Sequence, residues 1–270
     1  MLEVLSEVTI NGIELWVVLL CCCGVFLAAF IDAIGGGGGI ISVPTYLMAF
    51  SGHPTYFVLG TNKVSSSIST FFSTARFVRG GYVDWGLCVP GAALAICGST
   101  CGVWLQHHTP DIILKYTLVV VLPVVAFITL RGREWPDEPG QASRSKQMLV
   151  VCAAALLIGV YDGYYGPGTG TFLMIAFIRF GKMDVRHASG CTKVIILSSN
   201  VGSLVSILRS GYLYLGVGLI CSLAGILGAY LGSGLAIKNG SKLVKPTVVV
   251  VLCLLCLKVV TEILFPEFWA

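Results

Sequence analysis

Long apolar segments separated by short polar stretches make up most of the chain. Residues 15–34, 87–105 and 248–260 carry at most one charged residue each, and about 20 apolar residues cross a bilayer as an α-helix. The helices of a soluble domain would show an apolar face and a polar face, and these segments do not. The pattern predicts an all-α integral membrane protein, folded as a polytopic helical bundle.

Each half of the chain contains five apolar segments. They cover residues 13–34, 39–51, 57–78, 83–105 and 111–130 in the first half, and 147–165, 168–180, 187–208, 213–237 and 244–265 in the second. The second segment of each half is short, because 13 residues reach about 20 Å as a helix and the hydrocarbon core is about 30 Å thick. We therefore expect 8–10 membrane segments. Segments 39–51 and 168–180 are either re-entrant or broken helices, each preceded by a glycine turn inside the membrane.

The two halves form an internal repeat. A shift of 130 residues (162 − 32) aligns them without a gap, and the identical positions include charged residues and glycines. The aligned pairs are Asp32 with Asp162, Gly36 with Gly166, Gly38 with Gly168, Lys63 with Lys193, Arg79 with Arg209, Gly98 with Gly228 and Gly102 with Gly232. Apolar segments share Leu and Val through composition alone, but not Asp, Lys and Arg in one register. The predicted organisation is a first repeat over 1–130, a cytoplasmic linker over 131–147 and a second repeat over 148–270.

Basic residues predict the orientation of the segments. With the N-terminus outside, twelve Lys and Arg residues fall in inner loops: Arg76, Arg79, Arg131, Arg133, Arg144, Lys146, Arg179, Lys182, Arg186, Lys238, Lys242 and Lys245. The outer loops contain only Arg209. Five segments per half then place the second repeat upside down relative to the first, as in many secondary transporters. We expect a multi-pass protein of the cell membrane with both termini outside the cytoplasm. The first segment is not expected to be a cleaved signal peptide, since Glu3, Glu7 and Glu14 stand where such a peptide has basic residues.

Composition narrows the function classes further. The chain is 56% apolar and 11% charged, with a mean hydropathy of +0.90, whereas soluble domains carry about 25% charged residues. The net charge of +4 comes from loop residues, so we expect no nucleic-acid partner. Most of the eleven cysteines lie in apolar segments, where a thiol behaves as a small hydrophobe. We expect no disulfide, no metal site and no cofactor.

The glycine-rich turn of each half is a candidate anion site. A short helix follows each turn, so its free N–H groups and the positive end of its dipole point into the bilayer. The candidate ligand groups are Gly36, Gly37, Gly38 and Gly39 in the first half, and Gly166, Gly168, Thr169 and Gly170 in the second. A tight hairpin with close helix packing needs the same glycines, and this alternative stays open.

Lys63 and Lys193 each lie inside an apolar segment, at a cost of roughly 2.5–3.5 kcal/mol on insertion scales. We predict that both face a cavity and bind substrate, although snorkelling to the interface is the alternative. Their polar neighbours join the candidate site: Thr61, Asn62, Thr192 and Asn200. Further hydroxyls follow each lysine and either line an anion path or let helices pack closely.

Asp32 and Asp162 are also predicted to lie within the membrane. Each carboxylate could accept a coupling proton, pair with a lysine or cap a short helix, and the sequence does not separate these roles. Pairing alone would cancel most of the positive charge that an anionic substrate needs. Both residues are therefore candidates for coupling, with H⁺ as the candidate ion.

These motifs resemble the TauE/SafE family, also called the toluene-sulfonate uptake permease family. The resemblance rests on the glycine turn after Asp32, the string Gly60-Thr61-Asn62-Lys63, the string Arg79-Gly80-Gly81-Tyr82-Val83-Asp84 and the Gly98/Gly102 pair. The second-half strings Tyr161-Asp162-Gly163-Tyr164-Tyr165-Gly166-Pro167-Gly168 and Lys242-Leu243-Val244-Lys245-Pro246 are most similar to its YfcA-type branch. The resemblance covers nearly the whole chain and implies transport of sulfite, sulfonates or other sulfur-containing anions.

The combined prediction is a secondary transporter that moves a small anion across the cell membrane and is not an enzyme. Its partners would be the anion, the lipid bilayer and a coupling ion, and a homodimer stays open. No nucleotide-binding loop occurs in the sequence, so an ion gradient would drive transport. The alternatives are an anion channel with the same site and, less favoured, a membrane-embedded redox enzyme that uses the cysteines.

Overall fold

The computed structural model describes residues 9–10, 13–50, 55–110, 138–211 and 213–244, with the single residues 113, 136, 246, 247, 249, 250 and 253. A short antiparallel pair, β1 (Thr9–Ile10) and β2 (Ile13–Glu14), precedes the first helix. The first half then forms α1 (Leu15–Gly35), α2 (Gly39–Ala49), α3 (Thr55–Arg79) and α4 (Trp85–His107). The second half forms α5 (Arg144–Tyr164), α6 (Thr169–Arg179), α7 (Val185–Ser210) and α8 (Leu215–Asn239).

The predicted all-α polytopic membrane fold is confirmed. Five of the described helices, α1, α4, α5, α7 and α8, are long and apolar enough to cross a membrane, by length and composition. Helices α2 and α6 have 11 residues each. The predicted segments 111–130 and 244–265 lie largely outside the described residues. Elsewhere the predicted and observed helix ends differ by at most a few residues.

Polar caps explain where several helices begin. The Asp84 carboxylate accepts from the Gly86 N–H at 3.0 Å and starts α4, and Asp184 starts α7 in the same way. Ser143 caps α5, so this helix begins at Arg144 and not at residue 147 as predicted. Arg144 also donates to Asp84 at 2.8 Å. This guanidinium holds the pKa of the Asp84 carboxyl below its usual range.

The exterior of the bundle is apolar and much of its interior is polar. Along α8, the side chains of Leu219, Leu223, Leu227 and Leu231 are 47–66% exposed. Along α3, by contrast, the buried side chains include Thr61, Asn62, Lys63, Ser65, Ser67, Ser69, Thr70, Ser73 and Thr74. A soluble protein has the reverse arrangement. The apolar surface therefore suits lipid, and the polar interior is available for a function.

Glycine pairs set the closest helix crossings, and they do so in an equivalent way in both halves. A Cβ on Gly98 or Gly102 of α4 would lie 2.5 Å or 2.1 Å from a carbonyl oxygen of α5. A Cβ on Gly228 or Gly232 of α8 would lie 2.2 Å or 2.3 Å from a carbonyl oxygen of α1. This is the close backbone approach that small residues four apart allow in membranes. Helix α4 of the first half thus packs on α5 of the second, and α8 of the second packs on α1 of the first.

The two glycine turns meet inside the protein, backbone to backbone. Gly36 has a φ of 76°, and a Cβ there would lie 2.4 Å from the carbonyl carbon of Gly170. The Thr171 hydroxyl donates to the Gly35 carbonyl at 3.2 Å. These glycines therefore allow close packing, which is the alternative that the sequence left open. The packing brings the starts of α2 and α6 together.

Candidate functional site

Two buried ion pairs connect the halves. Lys63 Nζ of α3 lies 2.6 Å from Asp162 Oδ2 of α5, and Lys193 Nζ of α7 lies 2.7 Å from Asp32 Oδ2 of α1. Each lysine therefore pairs with the aspartate of the other half of the sequence. The lysine side chains are 9% and 2% exposed, so neither reaches the interface as a snorkelling residue would.

Asp162 is held by several donors. Besides Lys63, its carboxylate accepts from Ser199 Oγ at 2.5 Å and from Thr169 Oγ1 at 3.0 Å. Lys63 Nζ also donates to Asn200 Oδ1 at 3.1 Å. The carboxylate is 5% exposed. This pair is thus part of a dense hydrogen-bonded network that fixes both charges.

Asp32 has fewer donors and more room. Its Oδ1 accepts from the Gly38 N–H at 3.2 Å, its Oδ2 accepts from Lys193, and Lys193 also donates to its carbonyl oxygen. The side chain is 23% exposed. Of the roles left open for the aspartates, pairing with a lysine is observed for both, and each carboxylate also receives a donor at the start of a short helix.

A cavity of about 40 Å³ lies between the ion pairs and the glycine turns. It has room for a few water molecules or one small anion. Eleven of the predicted site residues line it: Asp32, Gly37, Gly39, Asn62, Lys63, Asp162, Gly166, Gly168, Thr169, Gly170 and Asn200. The N–H groups of Ile40, Ile41 and Thr169 donate to the carbonyls of Gly37, Gly38 and Gly166, while Gly39 and Gly170, at the starts of α2 and α6, line the cavity. Both N-termini therefore bring the partial positive charge of a helix dipole to one cavity.

The remaining predicted residues lie beside the cavity and not in its lining. Gly36 packs against Gly170, and Gly38 packs against Ala28 and Asp32. Thr61 Oγ1 donates to the Phe57 carbonyl and accepts from the Tyr214 N–H. Thr192 and Lys193 are buried, and Lys193 reaches the site through Asp32. The two lysines are thus not equivalent, because only Lys63 lines the cavity.

Seven of the lining residues were absent from the predicted set: Leu59, Ser66, Gln106, Gly163, Tyr165, Ile196 and Ile207. Ser66 and Gln106 line the cavity, and Ser199 contacts Asp162. Gln106 Nε2 donates to the Tyr164 carbonyl at 2.8 Å, next to the second glycine turn. A glutamine near the end of an apolar helix was the available signal, since a buried amide needs partners. Ser66 and Ser199 belong to the hydroxyl runs whose role the sequence left open.

Unpaired polar atoms occur at matching positions of the two halves. Among the described residues, four buried side-chain atoms have no hydrogen-bond partner: Asn62 Oδ1, Ser73 Oγ, Thr192 Oγ1 and Ser203 Oγ. The 130-residue shift relates Asn62 to Thr192 and Ser73 to Ser203. Buried polar groups are normally hydrogen-bonded, so each repeat keeps free hydrogen-bonding capacity along its third helix.

The cysteines lie apart from this site. The ten that the structure describes are thiols, and Cys22 Sγ lies 3.9 Å from Cys221 Sγ, which is too far for a disulfide bond. Within the described residues, no three His, Cys, Asp or Glu side chains are grouped as metal ligands would be. The polar chemistry of the described interior is therefore that of Lys, Asp, Asn, Gln, hydroxyl groups and backbone N–H groups.

Comparison with known proteins connects this architecture to transport. The family "Sulfite exporter TauE/SafE" matches residues 21–259. A "Probable membrane transporter protein ORF9" from Sinorhizobium sp is 34% identical over 238 residues, which cover 88% of this chain and 90% of that protein. A "Probable membrane transporter protein" from Haemophilus influenzae is 30% identical over 255 residues, 93% of this chain and 96% of the other.

The YfcA-type resemblance is confirmed as well. The "Probable membrane transporter protein YfcA" of Escherichia coli (strain K12) is 28% identical over 236 residues, 87% of each chain. No solved structure matches this chain. With a family match over most of its length and a helical membrane fold around a buried polar site, the chain belongs to the TauE/SafE family of membrane transporters.

Proposed function

We propose that this protein is a secondary transporter of a small sulfur-containing oxyanion, such as sulfite or a sulfonate. The observation that carries the proposal is the convergence of two helix N-termini, those of α2 and α6, on one buried cavity that also contains Lys63. Backbone N–H groups and helix dipoles bind anions without sequence-specific side chains. The name of the matching family, Sulfite exporter TauE/SafE, supports this substrate class.

The charges around the cavity favour an anion of low charge. Each Lys–Asp pair has a formal net charge of zero. Each helix N-terminus contributes about half a positive charge. The cavity thus offers about one positive charge in total, which suits a monoanion. A dianion would require further positive charge, and protonation of one aspartate would supply it by leaving its lysine unbalanced. H⁺ is accordingly the coupling ion that we propose.

The packing of the turns favours a carrier over a channel. The backbones of Gly36 and Gly170 are in contact next to the cavity, and a cavity of about 40 Å³ is too small for a continuous pore. Release of the anion then requires the halves to move relative to each other. We propose the alternating access of inverted repeats, with the pseudo-two-fold axis in the membrane plane, the linker 131–147 in the cytoplasm and both termini outside.

The test is ligand binding and exchange by the purified protein. Sulfite, thiosulfate and ethanesulfonate should raise the melting temperature, whereas acetate should not. Reconstituted protein should exchange external for internal [³⁵S]sulfite with saturation and counterflow, which a channel lacks. Replacing Asn200, which contacts Lys63 at the cavity, with Ala should weaken sulfite binding about tenfold, the loss expected for one hydrogen bond to a charged group.

Asn239→Ala is the matched control, because the Asn239 amide donates to the Leu235 carbonyl near the end of α8 and is not in the lining of the anion cavity. It should bind and exchange sulfite like the parent. Proteoliposomes in which the parent protein neither binds nor exchanges any of the three sulfur anions would overturn the proposal. Flux without saturation or counterflow would instead assign the chain as a channel.

A further inference from the structure

We propose that a second cavity, lined by hydroxyl groups, is a water-filled proton pathway that ends at Asp32. This inference rests on the proposed anion transport and adds which aspartate exchanges the coupling proton and by which route. The pathway runs along α3 from the anion cavity toward the C-terminal end of this helix, where Arg76 and Arg79 lie.

The second cavity lies between α1, α2, α3 and α8 and has a volume of about 40 Å³. It adjoins the anion cavity, because Asp32, Gly39, Asn62 and Ser66 line both. Its other polar lining residues carry hydroxyl groups: Ser42, Ser65, Ser69, Thr70 and Ser73. Asp32 thus lines both the anion cavity and the second cavity, whereas Asp162 lines the anion cavity but not the second one.

The polar lining forms one face of α3. Positions 62, 65, 66, 69, 70 and 73 follow each other at intervals of three and one residues, which is the spacing of a single helical face. The matching face of α7 is interrupted, because the buried side chains of Ile195 and Ile196 replace Ser65 and Ser66. Only the first repeat therefore carries a continuous polar face from its anion-site end to Ser73.

Two atoms in this cavity require a hydrogen-bonding occupant. Ser73 Oγ and Asn62 Oδ1 have no partner among the described residues, and these residues are 1% and 8% exposed. Buried polar groups without a protein partner are usually satisfied by water. Water between hydroxyl groups forms a chain along which protons move, so the lining has the chemistry of a proton path.

The charges of the lining argue against an anion in this space. Asp32 is the only charged residue among its lining residues, whereas Lys63 also lines the anion cavity. No cation in this second lining therefore offsets the repulsion between the carboxylate and an anion. The charged groups near Asp32 are Lys193 from α7, in direct contact, and Lys63 from α3 and Asp162 from α5, which share the anion cavity. The lining residues from α2, α4, α6 and α8 are uncharged.

The two aspartates differ in how many side-chain donors hold them and in how exposed they are. Three side-chain donors hold Asp162, at 5% exposure, while Asp32 has one side-chain donor and is 23% exposed. A proton arriving through water binds one carboxylate oxygen of Asp32 and converts it to the neutral acid. Lys193 keeps its charge, so the site gains one positive charge, which the anion neutralises. Loss of that proton restores the ion pair and releases the anion.

The two repeats contain a matched pair of residues for the test. Ser73 and Ser203 are equivalent, 1% and 0% exposed, and both lack a hydrogen-bond partner among the described residues, but only Ser73 lines the second cavity. The experiment measures [³⁵S]sulfite movement in proteoliposomes of the full-length protein with and without an imposed pH gradient. The titration of sulfite itself is common to all variants, so the ratio of the two rates isolates the contribution of the protein.

For the parent and Ser203→Ala we expect the pH gradient to accelerate sulfite movement. Ser73→Ala should lose most of this acceleration, and Asp32→Asn should lose all of it, together with the pH dependence of exchange. Equal acceleration in Ser73→Ala and Ser203→Ala, or acceleration that survives in Asp32→Asn, would overturn the pathway. A parent that exchanges sulfite with no response to the gradient would also overturn it while leaving anion transport intact. A parent that exchanges no sulfite would remove both proposals.

Discussion

At the scale of single residues, the decisive feature is that each buried lysine has its counterion in the other half. Lys63 and Lys193 would be costly alone in a membrane interior, and pairing with Asp162 and Asp32 offsets that cost. The pairs therefore serve folding as well as the anion site. A substitution that removes one partner leaves the other charge buried without compensation.

This arrangement predicts the effect of Lys63→Ala. The variant should be less stable than the parent by about 3 kcal/mol, the lower end of the range for a broken buried ion pair. We expect the lower end because Ser199 and Thr169 still donate to the Asp162 carboxylate. Replacing both Lys63 and Asp162 with Ala should recover most of the loss. Thermal unfolding in detergent, followed by tryptophan fluorescence, measures both effects.

Lys238→Ala serves as the control, because Lys238 is exposed near the end of α8, and its melting temperature should match that of the parent. Additive losses in the Lys63 and Asp162 single and double variants would show that the pair has no coupling energy in the membrane protein.

At the scale of helices, glycines determine which segments touch and how closely. The Gly98/Gly102 pair lets α4 approach the backbone of α5, and Gly228/Gly232 does the same for α8 and α1. These contacts place the C-terminal ends of α1 and α5, and with them Asp32 and Asp162, beside the lysines of α7 and α3. The position of the carboxylates is thus a consequence of helix packing.

Gly102→Ala should separate α4 from α5. The added methyl would lie 2.1 Å from the Val160 carbonyl oxygen and 2.7 Å from the Tyr164 nitrogen, and backbone cannot move aside as a flexible side chain can. We expect a loss of about 1–3 kcal/mol in stability, typical of overpacking, and weaker sulfite binding. The melting temperature and a sulfite titration measure these effects.

The neighbouring substitution Cys101→Ala, on the exposed face of the same helix, should change neither quantity. If Gly102→Ala melted and bound sulfite like Cys101→Ala, the α4–α5 crossing would not be as close as the structure has it.

At the scale of the whole molecule, helices of each half pack against helices of the other half. Helix α1 packs on α8, α5 packs on α4, and α3 packs on α7. Neither half forms its ion pair alone. The charge distribution of the loops predicts that α3 and α7 run in opposite directions across the membrane, which is the inverted arrangement proposed above.

Membrane-impermeant maleimide labelling tests this orientation. In a cysteine-free background, His108→Cys at the end of α4 should react in intact cells, and Glu138→Cys in the linker should react only after the membrane is opened. Both positions are exposed, so a lack of reaction reports sidedness and not burial. The opposite labelling pattern, or labelling of both positions in intact cells, would contradict the predicted topology.

The sequence by itself determined the class of protein, the position of each described helix to within a few residues, and the similarity of the two halves. These features depend on local properties: a bilayer demands about 20 apolar residues per helix, and Asp84, Ser143 and Asp184 cap helices through hydrogen bonds to residues two or three positions away. The same reasoning singled out Asp32, Lys63, Asp162 and Lys193, because a charge in an apolar segment is rare enough to be noticed without a structure.

Only the tertiary structure decided how these residues combine. The pattern along the chain does not say which helices touch, so it left open whether a lysine meets an aspartate, and of which half. It also predicted that Lys63 and Lys193 both face the substrate cavity, whereas of the two only Lys63 lines the anion cavity. The difference arises because the depth of each turn and the crossing of each helix depend on contacts between residues far apart in the chain, where the two repeats differ in side-chain size and polarity.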